Sequence, residues 1–252
     1  DLHYPLRRQR QMCIRDRYIT PAHPCSYLAS EEAQTLFVDP RKIISSQLYS
    51  GLTERGFRRS GSHIYKPHCE NCNKCIPIRL DVSTFRANKT QRKVLKQNSD
   101  LECRIEKTKF TSASYTLFEK YIEARHKDGD MYPATEDQFK SFLLSPWANT
   151  HSLNFYLEGD LVSSAVTDIQ LRSISAIYTF FKPDQSDRSL GTLSILKQIQ
   201  LASSMNVKHV YLGYWINESA KMDYKKEELS STFVFNNPNE TERCGCGESF
   251  KV

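Results

Sequence analysis

The chain has 252 residues, 39% hydrophobic and 25% charged, the composition of an ordinary soluble globular protein with one large core or two modest ones. Apolar runs such as Leu161-Val162 and Ile76-Pro77-Ile78 fall far short of a membrane span of roughly 20 residues. The arginine-rich start carries no apolar region of about 7–15 residues before a cleavage site, so membrane insertion and secretion are not expected and the setting is read as cytoplasmic. A net charge of +6 permits a polyanionic partner without demanding one.

In chain order, residues 1–20 are dense in arginine and show neither a helical nor an alternating period, which suits a poorly ordered leader or a basic tail that touches RNA. Residues 21–100 form a first, cysteine-bearing unit. Leu48, Tyr49 and Leu52 predict a helix ending at Gly56, and Phe57-Arg58-Arg59 and His63-Ile64-Tyr65 flank a Ser-Gly-Ser turn as in a hairpin. The basic segment Arg86, Lys89, Arg92, Lys93, Lys96 runs into a helix carrying Val94 and Leu95, and a join between two units is expected near residue 100.

From 101 to 235 the pattern is a strand near Cys103–Phe110 and helices near Ser112–Lys127 and Glu136–Leu144. Strands then follow over Ser152–Leu157, Leu161–Ile169 and Ile174–Phe181, a helix from Ser189, and a strand over Val207–Tyr211. The order α-α-β-β-β-α-β predicts an α+β, acetyltransferase-like (GNAT-like) domain behind the smaller cysteine-containing one, with an irregular tail over 236–252.

Two local patterns carry chemistry. Cys69, Cys72 and Cys75 are spaced by two residues behind His68, with Cys25 upstream, and thiolates so placed can converge on zinc or an iron-sulfur cluster; buried free thiols are the alternative. Arg188-Ser189-Leu190-Gly191-Thr192 opens a helix as a phosphate-cradling loop does, although Leu193 stands where a small residue would let a phosphate approach. An N-capped core helix fits the same residues. The basic segment can meet a phosphate backbone or be a solvated helix face.

Together these landmarks resemble the arginyl-tRNA:protein transferase family, in particular its bacterial aspartate/glutamate leucyltransferases. The matching residues include Pro24-Cys25-Ser26-Tyr27-Leu28, Gly56-Phe57-Arg58-Arg59-Ser60-Gly61 and Tyr65-Lys66-Pro67-His68-Cys69. Further along they include Cys75-Ile76-Pro77-Ile78-Arg79, Tyr178-Thr179-Phe180-Phe181, Tyr211-Leu212-Gly213-Tyr214-Trp215-Ile216 and Lys221-Met222-Asp223-Tyr224-Lys225. The chain departs from the family pattern at Lys182-Pro183, from Lys226 onward, and at Cys13 and Cys244-Gly245-Cys246-Gly247.

The resemblance implies transfer of leucine from leucyl-tRNA to proteins with N-terminal Asp or Glu, marking them for degradation, with no cofactor required for the transfer. Within that frame Tyr178, Tyr214, Lys221 and Tyr224 are the expected catalytic pocket, and Ser189, Gly191, Arg86, Lys89, Arg92, Lys93 and Lys96 the expected contacts to aminoacyl-tRNA. Arg59 and Arg79 are expected to capture the acceptor's carboxylate, because a guanidinium binds it bidentately. Arginine as the donated residue, a coenzyme A-dependent N-acetyltransferase and a metal-bearing RNA-binding module are the competing readings.

Overall fold

The computed structural model describes residues 17–127, 129, 131–216 and 219, together with the backbone of 242–243 and 250–251. Its first layer is an antiparallel sheet of β1 (Arg17–Ile19), β4 (Thr35–Val38), β5 (Arg58–Ser60) and β6 (His63–Pro67), in the order β1-β4-β6-β5. A short hairpin of β2 (His23–Pro24) and β3 (Glu32–Ala33) stands beside it. The expected leader therefore already contributes strand β1, whose residues pair with Leu36–Val38.

Helix α1 (Ser46–Glu54) starts where the Ser45 hydroxyl accepts from the Leu48 N–H at 3.2 Å. It stops where Gly56, at φ +83°, turns the chain into β5. Val38, Tyr49, Leu52, Phe57, Ile64 and Ala148 close this layer's core. At the β5/β6 turn Gly61 has φ +57°, and a Cβ there would lie 1.8 Å from the Ser141 carbonyl oxygen, so only glycine fits.

The second layer is a six-stranded sheet in the order β7-β12-β11-β10-β9-β8. Its members are β7 (Ile76–Asp81), β8 (Glu102–Lys107), β9 (Thr150–Leu157), β10 (Asp160–Ile169), β11 (Ser173–Phe181) and β12 (His209–Trp215). β9 to β11 form the expected antiparallel meander, and β8 pairs with the outer edge of β9. Alternation along β10 sends Ala165 to one face and Val166 to the other.

On the first face Leu153, Phe155 and Val162 pack under Leu190, Leu193 and Leu196 of α5 (Leu190–Ser204) and Val94 of α2 (Lys89–Gln97). On the second, Val166 and Phe180 pack under Leu117, Phe118 and Ile122 of α3 (Ser112–Arg125) and Phe139 and Leu143 of α4 (Glu136–Leu143). This is the acetyltransferase-like α+β arrangement that the element order implies.

The expected division at residue 100 does not follow the sheets, because β7 pairs with β12 and α2 packs against α5. Two-residue strands β13 (Glu242–Arg243) and β14 (Phe250–Lys251) pair within the expected tail. No helix among the described residues is long and apolar enough to cross a membrane.

Candidate active site

β11 and β12 run parallel and pair at only three positions, Ser173 to Ser175 against His209 to Tyr211. Beyond them the strands part. Apart from half-buried His209 both are buried where they pair, while Ala176–Thr179 and Leu212–Trp215 are half-buried. Irregularities accompany the parting: the β10/β11 register shifts at Val166/Thr167, and the β12/β7 register shifts at Tyr211/Gly213, where Gly213 has φ +87°. No described strand pairs with β11 on this side past Ser175, so amide and carbonyl groups along that edge face the opening and can take up a bound acyl chain.

The first layer reaches into the apex of the opening. Arg58 of β5 donates through Nη1 to Ser175 Oγ at 2.8 Å and to the Tyr211 carbonyl at 3.5 Å, and through Nη2 to the Ala176 carbonyl. Tyr214 of β12 donates its hydroxyl to the Gly56 carbonyl at 2.6 Å, with its ring 6.5 Å from that of Tyr65. Burial, then the neighbouring Tyr65, pushes the Tyr214 phenol above its ordinary range. Tyr178 lies on the opposite wall, on β11, with its ring against Phe142, Phe118 and Tyr121. The expected Tyr178 and Tyr214 thus sit on the two strands that flank the opening; Lys221 and Tyr224 lie outside the described residues.

Arg59 and Arg79 have different placements. The Arg59 side chain is 0% exposed and committed to Asp168, with Nε to Oδ2 at 2.5 Å and Nη2 to Oδ1 at 2.7 Å. Tyr49 Oη and Thr150 Oγ1 donate to the same carboxylate at 2.6 and 2.7 Å. Arg59 is therefore part of the joint between the layers, and an acceptor's carboxylate cannot reach it. Arg79 of β7 approaches the Tyr211 hydroxyl at 3.5 Å, and its buried Nε has no hydrogen-bond partner.

At the far end of β11 a short 3-10 helix (Pro183–Arg188) leads into α5 through Ser189, which has φ +52° and forms no side-chain cap. A Cβ at Gly191 would meet nothing within 4 Å, so the first turn of α5 is open to a ligand. Leu193 is 1% exposed and belongs to the core beneath α5; it does not crowd that turn, contrary to the expectation from its spacing.

α2 is tied to this corner. Asn98 Nδ2 donates to the Arg188 carbonyl at 2.9 Å, and Arg188 forks onto Asp100 at 3.0 Å. Gln91, Val94 and Asn98 form the buried stripe of this segment, leaving Lys89, Arg92, Lys93 and Lys96 exposed together with Arg86 just before the helix. Arg86 and Arg92 donate to the backbone carbonyls of Ser83, Phe85 and Ala87. The expected tRNA contacts thus lie along one exposed face of α2, whose C-terminal end meets the Arg188 corner while Arg86 lies at its other end, just after β7. Two open surface hollows, one of about 440 Å³ including Lys120 and Lys182 and one of about 570 Å³ including Lys107 and Lys140, contain none of the tyrosines.

Cys25, Cys69, Cys72 and Cys75 are half-buried free thiols. Their loops are held together by Lys74 and Glu31 at 3.2 Å and by the His68 N–H on the Gln34 carbonyl at 2.8 Å. Burial, then Cys69, Cys25 and Cys72, pushes the Cys75 thiol up to about 12. Among the described residues no three His, Cys, Asp or Glu side chains stand where they could hold a metal ion, so the thiols as placed form no coordination shell. Cys13, Cys244 and Cys246 lie outside the described residues.

Parted parallel strands, an open first turn of α5 and a first layer that closes the apex make an α+β site suited to an aminoacyl-tRNA:protein transferase. The sequence comparisons agree: residues 23–93 match the model for the N terminus of arginine-tRNA-protein transferase, and residues 113–234 match that for its C terminus. The chain belongs to the arginine-tRNA-protein transferase family.

It is 50% identical to an aspartate/glutamate leucyltransferase of Marinobacter nauticus over 82% of this chain and 88% of that one. It is 49% identical to the protein of the same name in Saccharophagus degradans over 82% and 89%. Among solved structures, a tandem GNAT protein from the clavulanic acid biosynthesis pathway covers 89% of this chain and 63% of its own, at 12% identity and a TM-score of 0.41.

Sequence reasoning missed Arg58 at the opening and Asp168, the partner of Arg59 in the joint. Alternation along the hairpin implies that Arg58 and Arg59 point to opposite faces, which is a signal that only one of them could serve a given ligand.

Proposed function

We propose that this chain transfers leucine from leucyl-tRNA to the N-terminal amine of proteins that begin with Asp or Glu. The observation that carries this is the opening between β11 and β12, whose strands carry Tyr178 and Tyr214, in a chain that also exposes the row Arg86, Lys89, Arg92, Lys93, Lys96 along α2. A phosphate backbone lying on that row brings a charged 3′ end to the mouth of the opening, and the relatives named aspartate/glutamate leucyltransferase support leucine and acidic acceptors.

The chemistry is modest. An aminoacyl ester is already activated, and an α-amine with a pKa of about 8 is partly neutral at pH 7, so positioning supplies most of the rate. The exposed edge of β11 holds the acyl group, Ser189 and Gly191 sit where the terminal phosphates arrive, and Tyr178 and Tyr214 border the reacting atoms. Arg79, whose buried Nε has no hydrogen-bond partner, is kept as a candidate for meeting the acceptor on the resemblance. Lys221 and Tyr224 keep their proposed places in the pocket on the resemblance alone.

Transfer of radiolabelled leucine from charged tRNA to an Asp-initiated peptide tests this reading. Transfer of arginine in preference to leucine, or tight binding of acetyl-coenzyme A without transfer from tRNA, would replace it. A metal on Cys25, Cys69, Cys72 and Cys75 is a separate proposal that requires the thiols to turn toward one another. Metal analysis of the purified protein checks it, and no step of the transfer passes through it.

A further inference from the structure

Arg58 is a guanidinium 8% exposed, and every partner it has among the described residues is a neutral oxygen: Ser175 Oγ and the carbonyls of Tyr211 and Ala176. The adjacent Arg59 shows the usual arrangement, in which a buried guanidinium is neutralised by a carboxylate. Tyr65 and Tyr214 flank Arg58, yet burial raises both phenols, which keeps them neutral and unable to serve as its counter-ion. A buried cation without an anion is costly unless a ligand supplies one.

The geometry also shows which edge of the fork is available. A guanidinium has five N–H bonds, and both on Nη1 are used here, on Ser175 and Tyr211, along with one on Nη2. Nε–H and the second Nη2–H remain. Gly213, held at φ +87° in β12, stacks over this part of the guanidinium: a Cβ at this position would lie 3.8 Å from Nε and Nη2 and 3.9 Å from Cζ, an ordinary packing distance above the plane. The contact over the face leaves the plane of the fork free, so the remaining Nε–H and Nη2–H are the pair that can bind a carboxylate with two parallel hydrogen bonds.

We infer that Arg58 binds the side-chain carboxylate of the acceptor's first residue and so sets the preference for Asp and Glu. This rests on the transferase reading above. The position is suitable because Arg58 lies at the apex where β11 and β12 separate, so an acceptor held there presents its α-amine to an ester lying along the β11 edge. Ser175, Ala176 and Tyr211 act as positioning groups that aim the fork.

The test compares leucine transfer to peptides identical except for a first residue of Asp or Asn, in the wild type and in Arg58→Gln and Arg58→Lys. With Arg58→Gln, kcat/KM on the Asp peptide should fall about 10- to 150-fold, the range for a lost hydrogen bond to a charged group, while the Asn peptide changes several-fold at most and leucyl-tRNA affinity stays the same. Arg58→Lys should be intermediate, since it keeps the charge without the fork. Equal losses on both peptides, or an Asp/Asn ratio left intact by Arg58→Gln, would overturn the inference.

Wild-type protein supplies a measurement independent of any variant's folding. The Arg58 Nε–H resonance should move on titration with the Asp peptide and stay put with the Asn peptide; no shift with the Asp peptide overturns the inference. A wild type that transfers no leucine would count against the transferase reading, while this titration would still report on Arg58.

Discussion

Arg58 and Arg59 are neighbours in sequence with opposite environments, because successive residues of a strand point to opposite faces. Arg59 turns to the interior joint, where Asp168 receives Arg59, Tyr49 and Thr150 together. Removing one partner of such a pair leaves a buried charge, so Asp168→Asn should cost about 3–5 kcal/mol in urea unfolding. The double variant Arg59→Met, Asp168→Leu should recover a large part of that loss; a double variant no more stable than Asp168→Asn would show that the joint depends on more than charge balance. Sequence reasoning singled out Arg59 for its chemistry but could not see its partner, which lies 109 residues away. A long-range pair of this kind leaves no periodic trace; Tyr178 falls in the expected strand Ile174–Phe181, whereas Tyr214 lies past the expected strand Val207–Tyr211 and is singled out by the family resemblance.

Elements were legible where amphipathic period and caps agree. α1 follows a Ser45 cap, α3 a Thr111 cap and α4 a Thr135 cap, and β9 alternates apolar Leu153, Phe155 and Leu157 with Ser152, Asn154 and Tyr156. β7 escaped notice because Pro77 interrupts its pattern; the strand tolerates proline because it is an edge of the six-stranded sheet.

At the corner of α2 and α5 two predictions follow from geometry. Gly191 has open space where a Cβ would go, so Gly191→Ala should stabilise α5 by about 0.5–1 kcal/mol while weakening aminoacyl-tRNA binding if phosphates approach that turn. Thermal melts and filter binding read the two effects separately, and unchanged affinity would remove the phosphate from Gly191. Reversing Lys89, Arg92, Lys93 and Lys96 to Glu one at a time should lower affinity across all tRNA sequences and reduce the salt slope by about 1 each. A slope that does not change would make this row merely a solvated face.

The two layers are one folding unit more than the composition shift near residue 100 suggests. β7 and α2 precede that point yet complete the second sheet and its helical cover, and the Arg59–Asp168 joint binds the layers from the other side. A fragment beginning at residue 101 should therefore fail to fold, having lost the partner of β12 and Val94 from its core; a cooperative melt from that fragment would refute this. The same joint and the cysteine cluster set the alkaline limit of the intact protein. Cys75 is pushed up to about 12 from an ordinary 9.0, and burial together with Asp168 raises the Tyr49 phenol above its ordinary 10.0. In the unfolded chain these groups lose their protons at ordinary values, while the folded chain still holds them, so the unfolded state gains stability as pH rises. Their contribution is complete below about pH 9, the ordinary value of a cysteine, and is lost progressively as pH rises from there toward 12. Urea midpoints measured between pH 7.5 and 10.5 should be flat at first and then fall. Cys75→Ser, which removes the titrating thiol and keeps a small side chain, should make the early part of that fall shallower. A wild type whose midpoint holds through this range would mean that Cys75 releases its proton as readily in the folded protein as in the unfolded one, and that burial and the neighbouring thiols do not hold its proton.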